Sequence, residues 1–303
     1  MILVSGGTGF IGSAVVRELL RRDRPVAVLG RDADRVRRLF GGDVEARVAD
    51  VRHPEELAPA MAGAEAVVNA VQFPNSPIEN RRKGWTFEEV DLKGTRNQVD
   101  AARAAGVRRF VYVSGVGASK ESDKHWFRYK WEAEQYLQDS GIEWVIVRPT
   151  WVYGPDDVSL NRFLGFARLL PFVPMFGNGE QMMQPVFIDD VGRVVADAAL
   201  APQAANRLLE LGGPDVMSMN DVLRNALDVM GKRRALLHQP VSIGKAIGAL
   251  ASLSPRPPLT PDAIEFITGA AVADNTAVDE VLHPRLTPLR EGLASYLAPR
   301  RPT

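Results

Sequence analysis

A lysine and several aromatic side chains stand close together in "KHWFRYKWEAE", residues 124–134, a segment otherwise patterned like an exposed helix. Trp126 precedes Lys130 by four residues, so on a helix the two lie about 40° apart around the axis and share a face. Tyr129 lies about 60° to the other side of Trp126. An indole donates a hydrogen bond but exchanges no proton near neutral pH, so acid–base chemistry in this segment would depend on Tyr129 and Lys130. Packing in the core or against a lobe is the alternative for Tyr129.

The glycine-rich turn "SGGTGFIG", residues 5–12, is the second candidate site. Its glycines have the spacing GxxGxxG between the first apolar run and the first amphipathic segment. Without Cβ atoms the backbone can approach a pyrophosphate closely, and the free N–H groups and dipole of the following helix favour the negative charge. The turn therefore predicts a dinucleotide site. The residues expected to contact the dinucleotide here are Gly6, Gly7, Thr8, Gly9, Phe10, Ile11 and Gly12.

The end of the second predicted strand indicates which dinucleotide is bound. In "VAVLGRD" the last strand position is Gly30 and the next residue is Arg31, whereas an NAD site normally has a carboxylate there. Arg31, assisted by Arg35, can bind a 2′-phosphate through two hydrogen bonds. The sequence therefore favours NADP(H) over NAD(H), and a surface cation is the alternative for Arg31. Asp50, at the end of the third strand, is placed to accept from the adenine amino group or to serve as a turn residue.

Short apolar runs alternate with longer amphipathic segments through residue 150. Strands that read as continuous apolar runs and are separated by helices indicate a parallel sheet covered on both faces. Gly30, Gly106 and Gly141 are expected to end elements, and Asp32 is expected to cap the helix after the second strand. The expected fold class is α/β, with a Rossmann-type doubly wound parallel sheet over residues 1–150.

Residues 151–303 are expected to form a smaller, mainly helical C-terminal lobe, from which the chain can return to the sheet. Gly and Pro in residues 151–187 predict loops around one short helix. Further helices are expected from Asp189 or Asp190, after "GGPDVMSMN", and over 241–253 and 260–268, with "SPRPP" as a breaker. The crevice between the sheet domain and the lobe is the expected ligand site. Apolar residues that line this crevice or fill the lobe core are Phe163, Phe166, Met175, Phe176, Met182 and Met183.

Composition excludes several classes of function. The 303 residues include no cysteine, so disulfides, thiolate nucleophiles and cysteine-ligated metals are excluded. The four histidines lack metal-ligand spacing, and no metal site is expected. Basic and acidic residues number 37 each, which argues against a nucleic-acid partner, and the basic "APRRPT" end is expected to be solvated. No run is long enough to span a membrane and no signal peptide is expected, so the sequence predicts a cytoplasmic protein.

The motifs together resemble the short-chain dehydrogenase/reductase superfamily in its extended or atypical form, over nearly the whole chain. "SGGTGFIG" resembles the nucleotide turn of that superfamily, and "DLKGTRNQVDAARAAGVRRFVYVSG" resembles its fourth helix and fifth strand. "VRPTWVYGP" is similar to the segment beside the nicotinamide, and "QPVFIDDVG" to the signature of the C-terminal lobe. The subgroup that it resembles most contains the accessory subunit of respiratory complex I and bacterial relatives, often described as epimerase/dehydratase-like.

The resemblance implies coenzyme-binding roles beyond the glycine turn. The residues concerned are Arg31, Asp50, Val51, Ala70, Val71, Lys130, Pro149 and Val152. Lys130 is expected to hold the ribose hydroxyls of the coenzyme, a role that does not require a phenol beside it.

The resemblance does not extend to the whole reaction. The superfamily uses a tyrosine four residues before the lysine as its general acid and base, and here that position is Trp126. Gly115 and Val116 stand where extended members carry serines, and Ser114 remains one or two residues early. The candidate catalytic residues are therefore Lys130, Tyr129 and Ser114. Tyr153, expected near the nicotinamide, is a further phenol or a structural residue.

Two functions follow from this pattern. The first is an NADPH-dependent oxidoreductase that passes hydride to a small apolar carbonyl, enone or quinone-like substrate without the usual tyrosine. The second is a non-catalytic protein that holds NADP(H) within an assembly or senses its redox state. A protein partner or a second copy of the chain is compatible with both. The loop 73–91, long and basic and carrying Trp85, is a substrate lid, a partner surface or a solvated loop.

Overall fold

The structure is a computed structural model that describes residues 1–252, 254 and 260–298. Its centre is a seven-stranded sheet made of β1 (Ile2–Ser5), β2 (Val26–Gly30), β3 (Glu45–Val48), β4 (Ala66–Asn69), β5 (Arg109–Val113), β6 (Glu143–Pro149) and β11 (Arg207–Leu211). The strand order is β11-β6-β5-β4-β1-β2-β3, and every pairing is parallel. The chain thus starts mid-sheet and extends to both sides, which confirms the predicted Rossmann-type doubly wound α/β fold.

Helices cover both faces of the sheet, so most strand residues are buried and apolar. One face packs against α1 (Phe10–Arg21), α2 (Ala33–Phe40) and α7 (Ile188–Leu200). The other face packs against α3 (Pro54–Met61), α4 (Gly94–Ala104) and α5 (His125–Gln138). Asp32 caps α2 by accepting a hydrogen bond from the Arg35 N–H at 3.0 Å, as predicted.

Close packing of α1 on α7 fixes the direction in which the start of α1 points. A Cβ on Gly192 would lie 3.0 Å from the backbone of Ala14, so only glycine permits this approach. The far end of α7 is held by Arg109, which is 3 % exposed and donates to the carbonyls of Ala198 and Ala201 at 3.0 and 2.7 Å. Both contacts attach α7 to the elements that carry the glycine turn and β5.

Residues at the end of the predicted loop 73–91 form a π-helical segment, Phe87–Lys93, which continues directly into α4. Thr86 caps it by accepting from the Glu89 N–H at 3.1 Å. π-helical turns are rare, but those that occur often lie at functional sites, because the extra residue in each turn changes where side chains point. The loop that precedes this segment contains a short 3-10 turn, Arg81–Lys83.

The C-terminal lobe is mainly helical, as predicted. Its helices are α6 (Val158–Leu169), α8 (Met219–Val229), α9 (Val241–Ala251), α10 (Pro261–Thr268), α11 (Thr276–Leu282) and α12 (Leu289–Leu297), with a 3-10 turn at Pro202–Ala204. Three two-stranded sheets complete it. They pair β7 (Val152–Tyr153) with β10 (Val186–Phe187), β9 (Met182–Met183) with β12 (Met217–Ser218), and β8 (Phe172–Phe176) with β13 (Ala235–Gln239).

The prediction of loops around one helix for residues 151–187 was incomplete. This stretch also contains the short strands β7 to β10, and two-residue strands are too short to show an alternating pattern. Pro174 lies inside β8, where proline argued against a strand, but β8 has a strand on one side only and tolerates it. The chain returns to the main sheet at β11, and a domain boundary at residue 150 stays a prediction.

Other expectations fall partly outside the described residues. The predictions concerned are those for residue 253, for most of "SPRPP" and for residues 299–303 of the basic end. Within the described residues, no helix is both long and apolar enough to cross a bilayer. In the same part of the chain, one group of side chains is close enough together to hold a metal ion, namely the exposed His53, Glu55 and Glu56.

Candidate active site

The glycine turn between β1 and α1 is built so that its backbone is accessible. Gly6 has φ +75°, and a Cβ there would lie 2.7 Å from the carbonyl oxygen of Ala70. A Cβ on Gly12 would collide with the carbonyl of Gly6, so α1 packs directly on the turn. Gly9, which is exposed, donates its N–H to the Gly6 carbonyl at 2.9 Å. A compact turn of this kind leaves its outer surface open to a ligand.

The N-terminus of α1 has no protein partner for its positive end. Its N-cap Gly9 provides no capping side chain, and its first turn contains no acidic residue. The helices α5 and α9 also lack both features, so what distinguishes the start of α1 is the glycine turn before it. An uncapped helix start that follows a glycine turn has free N–H groups and a favourable dipole for a phosphate. Arg35 adds positive charge nearby by donating to the carbonyl of Thr8 at 3.1 Å.

Basic side chains surround the ends of β2 and β3, where the sequence predicted the adenosine part of the site. Arg52 donates to both carboxylate oxygens of Asp50, at 3.0 and 2.6 Å. Burial alone would raise the pKa of Asp50, but hydrogen bonds and charge from Arg52, with a contribution from Arg31, lower it below its ordinary value. The Arg31 side chain is exposed, and its Cζ lies 6.0 Å from the Trp85 ring centroid. Val51 is buried beside them.

The ends of β4 and β6 bring the other predicted contact residues to the same edge of the sheet. Asn69 ends β4, accepts from the Val71 N–H at 3.1 Å and donates to the Thr95 hydroxyl at 2.9 Å. These bonds fix the turn Asn69–Ala70–Val71 against Gly6. Pro149, which ends β6, accepts from the Val116 N–H at 3.1 Å, and Val152 follows in β7. The sheet topology therefore assembles these residues around one crevice.

Lys130 is held by a carboxylate that was not among the predicted site residues. Its ammonium lies 3.0 Å from the carboxylate of Asp91, a residue of the π-helical segment, and the two side chains are 13 % and 1 % exposed. Its Nζ is also 5.7 Å from the ring centroid of Tyr112 on β5. Burial alone would lower the pKa of Lys130, but Tyr112 and Asp91 outweigh it and raise the pKa, so the lysine stays charged.

Trp126 fills the position one helical turn before Lys130 and is 2 % exposed. Its ring packs near Phe87 of the π-helical segment and Phe266 of α10, at centroid distances of 6.1 and 6.0 Å. Within the described residues its indole N–H has no hydrogen-bond acceptor. The side chain therefore packs between the helices and the lobe, although its spacing from Lys130 places it at the position of the superfamily's tyrosine.

Ser114 belongs to a buried hydrogen-bond network with Glu134, one turn after Lys130 on α5. Its hydroxyl donates to Glu134, which is fully buried and also accepts from Arg148 Nε at 2.9 Å. Since this hydroxyl already has a partner, we leave Ser114 out of the proposed site. Tyr153 is likewise buried, and its hydroxyl donates to the carbonyl of Leu289 at 3.4 Å, which gives it a structural role.

Tyr129 and His125 open onto a separate cavity of about 540 Å³ between the loop 79–89 and the start of α5. Carboxylates line much of this cavity, namely Glu79, Glu88, Glu89 and Asp262. Partial burial and the charges of Glu88 and Glu79 raise the pKa of Tyr129 above its ordinary value, the opposite of what an activated phenol requires. Proton donation by Tyr129 stays a prediction, and this environment argues against it.

The lobe residues expected at the crevice divide between core and surface. Met175 and Met183 are buried at 2 % and 6 % exposure, whereas Met182 is 44 % exposed. Phe163, Phe166 and Phe176 are half-buried. Substrate specificity therefore cannot be assigned to these side chains as one group.

Sequence reasoning missed Asp91, Glu134 and the position of Trp85. A signal for Asp91 was present, since a carboxylate between Val90 and Leu92 interrupts an apolar helix face. Glu134 gave no such signal, because "WEAEQ" is typical of an exposed helix surface. Lys130 lies 39 positions from Asp91, and Ser114 lies 20 positions from Glu134, so only the folded chain shows these pairs.

The fold and the site together define a dinucleotide-binding Rossmann protein. Its glycine turn precedes the uncapped start of α1, and Arg35 links that turn to the segment after β2. Residues 6–164 match the family described as NAD(P)H-binding, which is more than half of the chain. The chain belongs to this NAD(P)H-binding family.

Relatives are similar over much of the chain. The NAD(P)H azoreductase of Xenophilus azovorans is 30% identical over 227 residues, which cover 73% of this chain and 71% of that protein. The mitochondrial NADH dehydrogenase (ubiquinone) 1 alpha subcomplex subunit 9 of Arabidopsis thaliana is 29% identical over 254 residues. This match covers 81% of this chain but only 62% of the length of that subunit. The resemblance to the complex I accessory-subunit subgroup is thereby confirmed.

A solved structure confirms the fold independently. The NADPH-dependent quinone oxidoreductase of Escherichia coli, in complex with NADPH, superposes with a TM-score of 0.77 at 20% identity. The match covers 97% of this chain and 99% of that one. At this identity the likeness shows the shared Rossmann-type architecture, including the lobe.

Proposed function

We propose that this protein is an NADPH-dependent reductase that passes hydride to acceptors whose reduction needs no proton from a side chain. The observation that carries the proposal is the contrast within one crevice. The glycine turn and the uncapped start of α1 fit a dinucleotide, whereas the phenol position four residues before Lys130 is filled by the buried Trp126. When bound, a reduced nicotinamide supplies the hydride.

The residues present fit such a coenzyme. Gly6 and Gly12 allow the backbone approach that a pyrophosphate requires, and the uncapped start of α1 provides free N–H groups. Arg31 replaces the carboxylate that would accept from a ribose 2′-hydroxyl, which supports a preference for NADP(H). Lys130 lies at the opposite end of the surface, where its ammonium would hold ribose hydroxyls while Asp91 balances its charge.

The class of acceptor follows from the missing phenol. Reducing a simple ketone produces an alkoxide that must be protonated as it forms, which in this superfamily is the work of a tyrosine. A quinone or an enone delocalises the negative charge that arrives with the hydride, and water can protonate the product afterwards. Such acceptors suit a site whose nearest indole and lysine cannot provide that proton. One relative is an NAD(P)H azoreductase, so an azo compound is a further acceptor to test.

The test is NADPH oxidation by purified protein with a quinone, an enone and an azo dye, beside a simple ketone. We expect turnover with at least one of the first three and none with the ketone. Trp126→Tyr restores a phenol one turn from Lys130 and should add ketone reduction, while the matched Trp126→Phe, which has the same ring without the hydroxyl, should not. Ketone reduction by the unmodified protein, as efficient as its quinone reduction, would contradict the proposal.

A non-catalytic role is the second candidate. It is favoured by the match to a complex I subunit, which covers 81% of this chain, and by the buried Asp91–Lys130 pair, in which the candidate catalytic lysine is already bound to a carboxylate. NADPH that binds and raises the melting temperature, without oxidation in the presence of any acceptor, would favour this role. A cytoplasmic location and the identity of any protein partner stay predictions from the sequence.

A further inference from the structure

The loop after β4 contains a rigid basic hairpin, residues 80–85, with the sequence "NRRKGW". Asn80 and Trp85 exchange two backbone hydrogen bonds, at 2.8 and 3.0 Å, and enclose the 3-10 turn Arg81–Lys83. The Asn80 side chain accepts from the Lys83 N–H at 3.2 Å. Gly84 closes the hairpin with φ +63°, a conformation that favours glycine. The hairpin therefore presents its cations in a fixed arrangement.

Arg52 attaches the basic hairpin to the adenosine end of the coenzyme surface. Its Nη1 donates to the carbonyl of Lys83 at 2.7 Å, while Nε and Nη2 bind the carboxylate of Asp50 at 3.0 and 2.6 Å. A Cβ on Gly84 would lie 2.9 Å from that same Nη1, so the hairpin packs directly on Arg52. Two segments about 30 residues apart in sequence are thereby joined beside the end of β3.

Two cations from different segments lie near the Trp85 ring. The Nζ of Lys83 is 4.5 Å from its ring centroid, and the Cζ of Arg31 is 6.0 Å from it. In the part of the chain that the structure describes, neither cation has a carboxylate within ion-pair distance. Lys93, on the segment that follows the hairpin, does have such partners in Glu88 and Glu89. Two cations without an ion-pair partner beside one aromatic ring can form a site that an anion would complete.

We propose that the basic hairpin is part of the coenzyme site, with Lys83 as a second ligand of the 2′-phosphate beside Arg31 and with Trp85 positioning both cations. The inference rests on the proposed function and deepens its coenzyme preference. A phosphate dianion takes a planar guanidinium through two hydrogen bonds and an ammonium as a point charge. Charge-assisted bonds of this kind exceed an exposed cation–π contact, so the phosphate would displace the ring as the partner of the two cations.

The experiment measures calorimetric binding of two half-coenzymes, adenosine 2′,5′-bisphosphate and AMP, which differ by the 2′-phosphate alone. Lys83→Met should weaken bisphosphate binding about 10- to 100-fold and leave AMP binding unchanged, because one charge-assisted bond is lost. Trp85→Ala should weaken bisphosphate binding about 3- to 10-fold, and Trp85→Phe, which keeps an aromatic face, should weaken it less. Circular dichroism melting of each variant reports whether the fold is intact.

Arg82→Met is the matched control. It removes the same charge from the same hairpin at an exposed side chain for which the described residues provide no partner. Equal effects of Arg82→Met and Lys83→Met would show a general electrostatic effect and overturn the assignment, as would full bisphosphate affinity in Lys83→Met. Unmodified protein that binds neither probe nor NADPH would refute the proposed function together with this inference. Binding of NADH and AMP as tight as that of their phosphorylated counterparts would refute the hairpin assignment and the preference for NADPH, while leaving a reductase that uses either coenzyme.

Discussion

The buried pair of Asp91 and Lys130 makes a prediction about folding that needs no knowledge of the substrate. Asp91→Asn would leave the Lys130 ammonium, whose side chain is 13 % exposed, without its counter-charge. Removing one partner of a buried pair typically costs about 3–5 kcal/mol of folding free energy, because the remaining charge stays desolvated and unpaired. We expect a loss in this range for Asp91→Asn and a similar loss for Lys130→Met.

The double variant measures the interaction between the two side chains. With both charges removed, no unpaired ion remains, so Asp91→Asn with Lys130→Met should cost less than the sum of the two single variants by about 3 kcal/mol. The assay is urea unfolding followed by circular dichroism, without coenzyme, for all four proteins. Losses that add to within about 0.5 kcal/mol would refute the interpretation of a coupled buried pair.

Lys93→Met is the control variant. It removes a lysine from the π-helical segment that also carries Asp91. Lys93 pairs with Glu88 and Glu89 at 3.0 and 2.7 Å, but its side chain is 48 % exposed. Exposed pairs contribute about 0–1 kcal/mol, since water screens them. A loss for Lys93→Met as large as that for Lys130→Met would show that burial is not the cause.

Two further predictions concern pH. Burial raises the pKa of Asp157 to about 6 in the folded protein, so the folded state binds a proton more tightly than the unfolded chain does. This contribution to stability is present below about pH 4 and lost as the pH rises through about 6, at most about 3 kcal/mol. Asp157→Asn, whose amide still caps α6, should lack that loss in urea unfolding from pH 4 to 7. Hydrogen bonds from Lys124 and Lys245 lower the pKa of Glu265 to about 2. This contribution to stability is present above about pH 4.5 and is lost as the pH falls towards 2. Glu265→Gln should therefore destabilise the protein by on the order of 1 kcal/mol at pH 7 and by less at pH 3. A variant that follows the unmodified protein at every pH would contradict either assignment.

Local chemistry explains which parts of the fold the sequence could predict. Apolar strands, amphipathic helices and the glycine turn each follow from the preferences of adjacent residues, and the chain between residues 1 and 150 has all three in regular alternation. The cap at Asp32 and the hydrogen bond from Gly9 to Gly6 within the glycine turn were predictable for the same reason, because their partners lie within a few residues. The short strands of the lobe were not, since two-residue pairings depend on a partner elsewhere in the chain.

The sequence by itself determined that this is a doubly wound α/β protein with a glycine turn for a dinucleotide and with Trp126 where its superfamily has a tyrosine. Only the tertiary structure decided that Trp126 is buried, that Lys130 pairs with Asp91, and that Trp85 stands against Arg31. The reason is physical. A turn or a helix is stabilised by neighbours in sequence, whereas a buried charge or an aromatic contact depends on segments that meet only when the sheet is assembled.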